Sequence, residues 1–309
     1  MRRFVVGLIA LLAVCFAAFW FVTEPKAVTA AALGPHQADA ENGKTMFRAG
    51  LCSSCHARPE QPDDTLLGGG RGLKTPFGTF FVPNISPDPR DGIGSWNEAQ
   101  FVTAMAKGTA PDGRHYFPAF PYPSYQRMRT DDLRDLFAYL KTLPSTPGTS
   151  PDHDVPFPFN VRRFIGIWKL LFLDDQPVGQ DAAQTPEWNR GAYLVNGPGH
   201  CAECHSPRNV LGGVIRAQRF AGGPNPEGEG WIPNITQKAI GNWSVDDIAE
   251  VLTSGDTPDD RVGGPMLAVV RNTSQLDEED RNAIAAYIKS LPPVEGPTPP
   301  KNPSPPKDN

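Results

Sequence analysis

The chain has 309 residues, room for two domains of ordinary size, and its 29 Lys and Arg against 34 Asp and Glu give a net charge of −5. That balance excludes the clustered basic surface of a nucleic-acid-binding protein. Proline (34) and glycine (30) are abundant, so short helices joined by long loops are expected, and an odd count of five cysteines speaks against a pure disulfide framework.

Residues 4–22 form an uncharged apolar run preceded by Arg2 and Arg3. The run is long enough to span a bilayer, and the two arginines hold its leading end on the cytoplasmic side. Residues 1–24 are therefore expected to be a signal anchor, a single pass through the inner (cytoplasmic) membrane with the remaining chain in the periplasm. The competing expectation is a cleaved signal peptide, with Val28-Thr29-Ala30 as its cleavage site. Cys15 lies inside the run and reads as a small apolar residue of the span.

Residues 39–145 read as a small helical domain. A helix over 39–49 leads into Cys52-Ser53-Ser54-Cys55-His56, a second runs over 97–107 after Trp96, and a third starts after a cap at Thr130 and stops before Pro144. Leu133, Leu136, Phe137, Leu140 and Leu143 recur on one face of that third helix. Residues 146–184 are a proline-rich connector with an apolar stretch over 155–173. Such a stretch packs across both domains or forms a partner-binding or membrane-surface patch.

Residues 185–293 repeat the first domain. They place a helix over 186–195, then Cys201-Ala202-Glu203-Cys204-His205, a helix over 244–253 after Trp243, and a last helix between Asp277 and Pro292. Pro83-Asn84-Ile85 returns as Pro233-Asn234-Ile235, and Tyr139-Leu140-Lys141-Thr142-Leu143-Pro144 as Tyr287-Ile288-Lys289-Ser290-Leu291-Pro292. Offsets stay between 147 and 150, which marks a duplicated domain, and two domain-sized copies exclude a solenoid. Gly43 and Gly191 are expected to let the first and last helices of each domain approach closely, near Tyr139 and Tyr287. The tail, residues 294–309, is dominated by proline and charge and is expected to be disordered.

Two cysteines one helical turn apart reach the two vinyl groups of one porphyrin, and the histidine that follows presents its imidazole to the iron. Cys52, Cys55, Cys201 and Cys204 are thus the expected attachment points of two covalently bound haem c groups, with His56 and His205 as proximal iron ligands. Zinc needs four converging ligands per site, and each half offers few further histidines: His115 and His153 in one, His200 in the other.

Met266 is the only methionine after Met128 and follows Gly263-Gly264-Pro265 ahead of the last helix, which makes it the expected sixth ligand of the second iron. The matching position in the first domain falls at Ala119 or Phe120, neither of which ligates. The expectation there moves to Met128 in the same loop, with His115 as its polar competitor and Met46 and Met105 read as core. Trp96 and Trp243 either wall the haem or pack in the core. The carbonyls of Pro83 and Pro233 are candidate acceptors for the free N–H of the proximal histidines.

With these residues in view, the chain resembles the cytochrome c subunits of periplasmic membrane-bound dehydrogenases for alcohols, gluconate and related sugars. The resemblance covers residues 42–294. Its most specific stretches are Thr75-Pro76-Phe77-Gly78-Thr79, Ala110-Pro111-Asp112-Gly113-Arg114-His115, Pro118-Ala119-Phe120-Pro121-Tyr122 and Pro156-Phe157-Pro158-Phe159-Asn160. It implies a mainly α fold of tandem class-I-like cytochrome c domains, here behind an N-terminal transmembrane helix. It also implies electron transfer from a partner dehydrogenase toward quinone or a downstream cytochrome or terminal oxidase. Members commonly carry three haem domains where two are read here, and many have methionine where Phe120 stands. The competing function is a dihaem enzyme of the peroxidase or thiosulfate-oxidising type, which needs an open or displaceable iron position; no nucleic-acid partner is expected.

Overall fold

In the computed structural model, which describes residues 1–59, 61 and 63–301, the N-terminal apolar run forms helix α1 (Arg2–Val22). Among the described residues it is the one helix long and apolar enough to cross a membrane, and none of its side chains is buried in the protein. The chain then passes through one turn of helix, α2 (Ala30–Leu33), capped by Thr29.

Two helices of the first domain begin where a side chain satisfies their free amides. Asp39 accepts from Glu41 and Asn42 at the head of α3 (Ala40–Ala49), and α4 (Cys52–His56) follows after a sharp turn. A two-stranded antiparallel hairpin, β1 (Gly72–Thr75) with β2 (Gly78–Phe81), precedes α5 (Glu98–Lys107), which starts at an Asn97–Gln100 capping box. The short α6 (Tyr122–Tyr125) leads to α7 (Thr130–Thr142). Thr130, expected as a cap, is the first helical residue: Asp131 and Asp132 occupy the first turn, where the helix dipole favours acidic groups.

The connector carries α8 (Phe164–Phe172). The second domain repeats the plan with α9 (Pro186–Asn196), α10 (Cys201–His205), the hairpin β3 (Gly223–Pro224) with β4 (Trp231–Ile232), α11 (Gln237–Ile240), α12 (Val245–Thr253), α13 (Met266–Thr273) and α14 (Glu278–Lys289). Thr185 caps α9 and a Ser244–Asp247 capping box starts α12. The hairpins are the elements that helix-period reading passes over.

In both domains the first and last helices cross at a glycine. A Cβ on Gly43 would lie 2.0 Å from the carbonyl oxygen of Asp135 on α7, and one on Gly191 would lie 1.8 Å from that of Ala283 on α14. Tyr139 and Tyr287 flank the two crossings, as the sequence spacing indicates. One hydrophobic core runs through both domains, from Phe47 and Leu136 to Leu194 and Ile288.

The connector touches both domains. Asp154 exchanges two backbone hydrogen bonds with Thr79 of β2, and the Trp168 indole donates to the carbonyl of Leu211 at 2.9 Å. The start of the proline-rich tail is tied down: Val294 accepts from Asn234 and donates to Thr236, and Glu295 accepts from Gln218. Residues 302–309 of the expected disordered segment lie outside the described residues.

Gly43→Ala and Gly191→Ala each force a methyl group into backbone. Each is expected to destabilise its domain by about 1–3 kcal/mol or more, read as a lower unfolding midpoint, whereas alanine at the open Gly113 type of position is limited only by its positive φ of 82°.

Candidate functional site

Each motif folds as a single helical turn, α4 or α10, directly after a residue in left-handed backbone, Leu51 (φ 52°) or His200 (φ 40°). That conformation turns the chain between α3 and α4, and between α9 and α10. All four motif cysteines and both motif histidines line one continuous cavity of about 1900 Å³. Its walls are largely hydrocarbon, with Trp96, Phe101 and Leu136 on one side and Trp243, Ile248 and Ile284 on the other.

The two imidazoles are oriented alike. His56 Nδ1 donates to the carbonyl of Pro83 at 2.8 Å, and His205 Nδ1 donates to that of Pro233 at 2.9 Å. A carbonyl only accepts, so the proton sits on Nδ1 and Nε2 offers its lone pair to the cavity. Burial pushes His56 down to about 4 and lowers His205 as well, so both are neutral at neutral pH. Burial raises the thiols, to about 12 for Cys52 and Cys204 and about 11 for Cys55 and Cys201. Among the described residues no group of three His, Cys, Asp or Glu is placed to hold a metal ion by itself.

Arg71 and Arg208 stand in the wall, each with a buried Nε that has no hydrogen-bond partner. Guanidinium N–H groups short of an acceptor, hydrocarbon walls, two oriented imidazoles and four neutral thiols together fit flat apolar rings carrying anionic substituents. The residues present therefore fit two haem c groups.

The expected sixth ligands are placed differently from one another. Met266 lines the cavity at the head of α13. Met128 is buried in the core two residues ahead of α7, where the second domain has Leu276 two residues ahead of α14. Its Cγ lies 3.4 Å from where a Cβ on Gly197 would sit, and Met128 is not part of the cavity wall. His115, its competitor, is also outside that wall: its Nε2 donates to the carbonyl of Thr23 at 2.9 Å. Met105, read as core, lines the cavity from α5 as Leu252 does from α12.

Each motif helix is held by the opposite domain, through contacts that sequence reasoning missed. Ser53 donates to Asn272 Oδ1 at 3.0 Å, and Ser54 accepts from Asn272 Nδ2 at 3.0 Å. In return, Ser124 of α6 donates to Glu203 of α10 at 3.0 Å. His200, just before Cys201, donates from Nε2 to the carbonyl of Gly50 at 3.3 Å, and the ring of Tyr125 stands edge-on to it at 5.7 Å. Partners separated by up to 219 residues leave no local signal.

The cytochrome c family model matches residues 40–144 and 189–292. The chain is 48% identical over 298 residues to a diheme cytochrome c-type protein of Cereibacter sphaeroides, which covers 96% of this chain and 100% of that relative. It is 35% identical over 276 residues to the fructose dehydrogenase cytochrome subunit of Gluconobacter japonicus, covering 87% of this chain and 55% of the relative. It is 36% identical over 267 residues to the cytochrome c subunit of alcohol dehydrogenase (quinone) of Gluconobacter oxydans, covering 82% and 55%. The chain thus spans little more than half the length of these two dehydrogenase subunits.

Asn272→Ala strips Ser53 of its partner across the domain boundary and leaves Ser54 only the carbonyl of Ala268 there. It is expected to cost about 1–3 kcal/mol, read as a lower denaturant midpoint, with the number of haems per chain unchanged by mass.

Proposed function

The chain belongs to the cytochrome c family and carries two covalently bound haem c groups, and from that premise we propose that it is a periplasmic electron-transfer protein working beside a dehydrogenase. In this reading α1 holds it at the inner membrane. Electrons come from the partner dehydrogenase and pass toward quinone or a downstream cytochrome or oxidase. The dehydrogenase partner is supported by relatives named as dehydrogenase cytochrome subunits.

The observation that carries the reading is that both motifs line a single cavity with both imidazoles already oriented. When bound, each haem c supplies a one-electron iron couple. The chain's own residues do the rest. The Pro83 and Pro233 carbonyls fix the imidazole planes, the apolar walls exclude water, and Arg71 and Arg208 stand in the wall, each with a buried Nε–H to spare.

Met266 would close the second iron with its thioether, which would raise its potential. The first would be closed by Met128, as its place in the loop suggests, or by Met105, as the cavity wall suggests. The second reading, a dihaem enzyme, is favoured by one observation: neither Met128 nor His115 reaches the cavity wall.

Met266→Ala is expected to remove the thioether charge-transfer band of one haem, lower its potential and let carbon monoxide bind its ferrous form. Met128→Ala is expected to do the same at the other haem. An unchanged spectrum there, together with a changed one for Met105→Ala, moves the ligand to Met105. Carbon monoxide binding by the unaltered protein puts the enzyme ahead.

The anchor has its own check. With α1 retained, the protein stays with membranes through high-salt and carbonate washing. A mature N-terminus at Ala31 with release into the soluble fraction refutes it.

A further inference from the structure

We propose that α8 and the loops beside it lie in the bilayer interface, so that lipid covers the apolar face on which the haem cavity opens; the inference rests on the reading of α1 as a retained anchor.

The helix α8 is turned inside out for a surface helix of a water-soluble domain. Phe164, Ile167, Leu170 and Leu171, three or four residues apart, point outward and are exposed. The inward face holds Gly166 and Trp168, and the one charged side chain, Lys169, sends its ammonium inward to the carbonyls of Lys107 and Gly108, both at 2.7 Å. Hydrocarbon outward and ammonium inward is the reverse of what water selects.

This helix begins where α1 ends. Gly166 sits on Thr23, the residue after α1: a Cβ there would lie 2.5 Å from the Thr23 Cβ. The rings of Phe19 and Phe164 pack edge to face at 5.8 Å. Arg163 donates to the Thr23 hydroxyl at 2.8 Å and to the Trp20 carbonyl, with its guanidinium 4.2 Å from the Trp20 ring centroid. Tryptophan with a long cation is the pairing found at headgroup depth. Thus α8 lies at the level where α1 leaves hydrocarbon.

The patch continues away from α8 without a break. Trp168 binds the Leu211 carbonyl, Gly212 abuts Phe77, and Phe77 packs on Phe159 at 5.2 Å. Phe157, Phe159, Val210 and Leu211 are all exposed. Phe159, Phe164, Ile167, Leu171, Val210 and Leu211 also line the haem cavity, so its mouth opens within this patch. Lipid is the occupant because the patch starts at the membrane exit of α1; a protein covering it would have to sit in the headgroup layer itself.

The test uses the full haem-loaded chain in nanodiscs of phosphatidylcholine and phosphatidylglycerol containing a phosphatidylcholine with a photoreactive diazirine in its acyl chain. Mass spectrometry then maps the adducts. Adducts are expected on α1, on residues 164–172 and on Val210 and Leu211, with none on α14. The variant Leu170→Glu, at an exposed position outside the cavity wall, is expected to lose the adducts on 164–172 while keeping those on α1 and an unchanged haem spectrum. Adducts on α1 with none on 164–172 overturn the inference and leave the anchor standing. Adducts on 164–172 with α1 absent from the mature chain support the patch and refute the anchor. In native membranes, cross-links from residues 164–172 to a dehydrogenase subunit in place of lipid adducts also overturn it.

Discussion

The backbone crossing at Gly43 and Gly191 is the constraint from which each domain follows. At these positions the carbonyls of Asp135 and Ala283 occupy the space a side chain would need, so the first and last helices meet backbone to backbone. Glycine in a helix interior costs about 1 kcal/mol relative to alanine, and the close crossing is what that cost secures. Three residues after α3 ends comes Cys52, and the loop that closes the cavity, residues 116–121, runs through α6 into α7. Fixing the crossing therefore fixes the imidazole relative to the opposite wall.

The duplication then uses the same parts a second time, to hold the domains together. Each motif helix docks on the helix that follows the other domain's cavity loop: α4 on α13 through Ser53, Ser54 and Asn272, and α10 on α6 through Glu203 and Ser124. The two halves of this exchange have diverged, since Glu203 is also paired with Arg208 at 2.8 Å. Domains joined by small polar interfaces move relative to one another by default. Here a shared hydrophobic core and reciprocal bonds at the motifs themselves tie the two attachment points together, so their separation does not depend on a hinge.

Much of this is legible in the sequence because it is local. The two motifs, the repeat, the main helices and both helix-crossing glycines are read from short stretches, and the Pro83 and Pro233 carbonyls follow from the repeat. The hairpins are hidden because four residues, or two, carry too little alternation to register as strands. The cavity wall is hidden for another reason. Met128 and Met105 both replace a leucine of the second domain, Leu276 and Leu252, and only the side-chain direction, which sequence does not carry, puts Met105 in the wall and Met128 behind it. Contacts across the domain boundary have no local signal at all.

His115 shows how a residue of iron-ligand type finds a mechanical role. Its Nε2 donates to the Thr23 carbonyl, its own carbonyl accepts from Arg162 at 2.9 Å, and burial, with Lys169 and Arg163 nearby, pushes it down to about 4. A neutral imidazole keeps the single Nε2 proton that this bond requires, whereas a charged one would stand beside two cations. Thr23 itself is only 1% exposed, held from one side by His115 and from the other by Gly166 and Arg163. A flexible leader would let the domains drift by several ångströms per √residue of linker, roughly 5–6 Å × √n. Locked backbone at residue 23 removes that freedom at the first residue after α1, and the cavity mouth inherits a fixed orientation relative to the apolar helix.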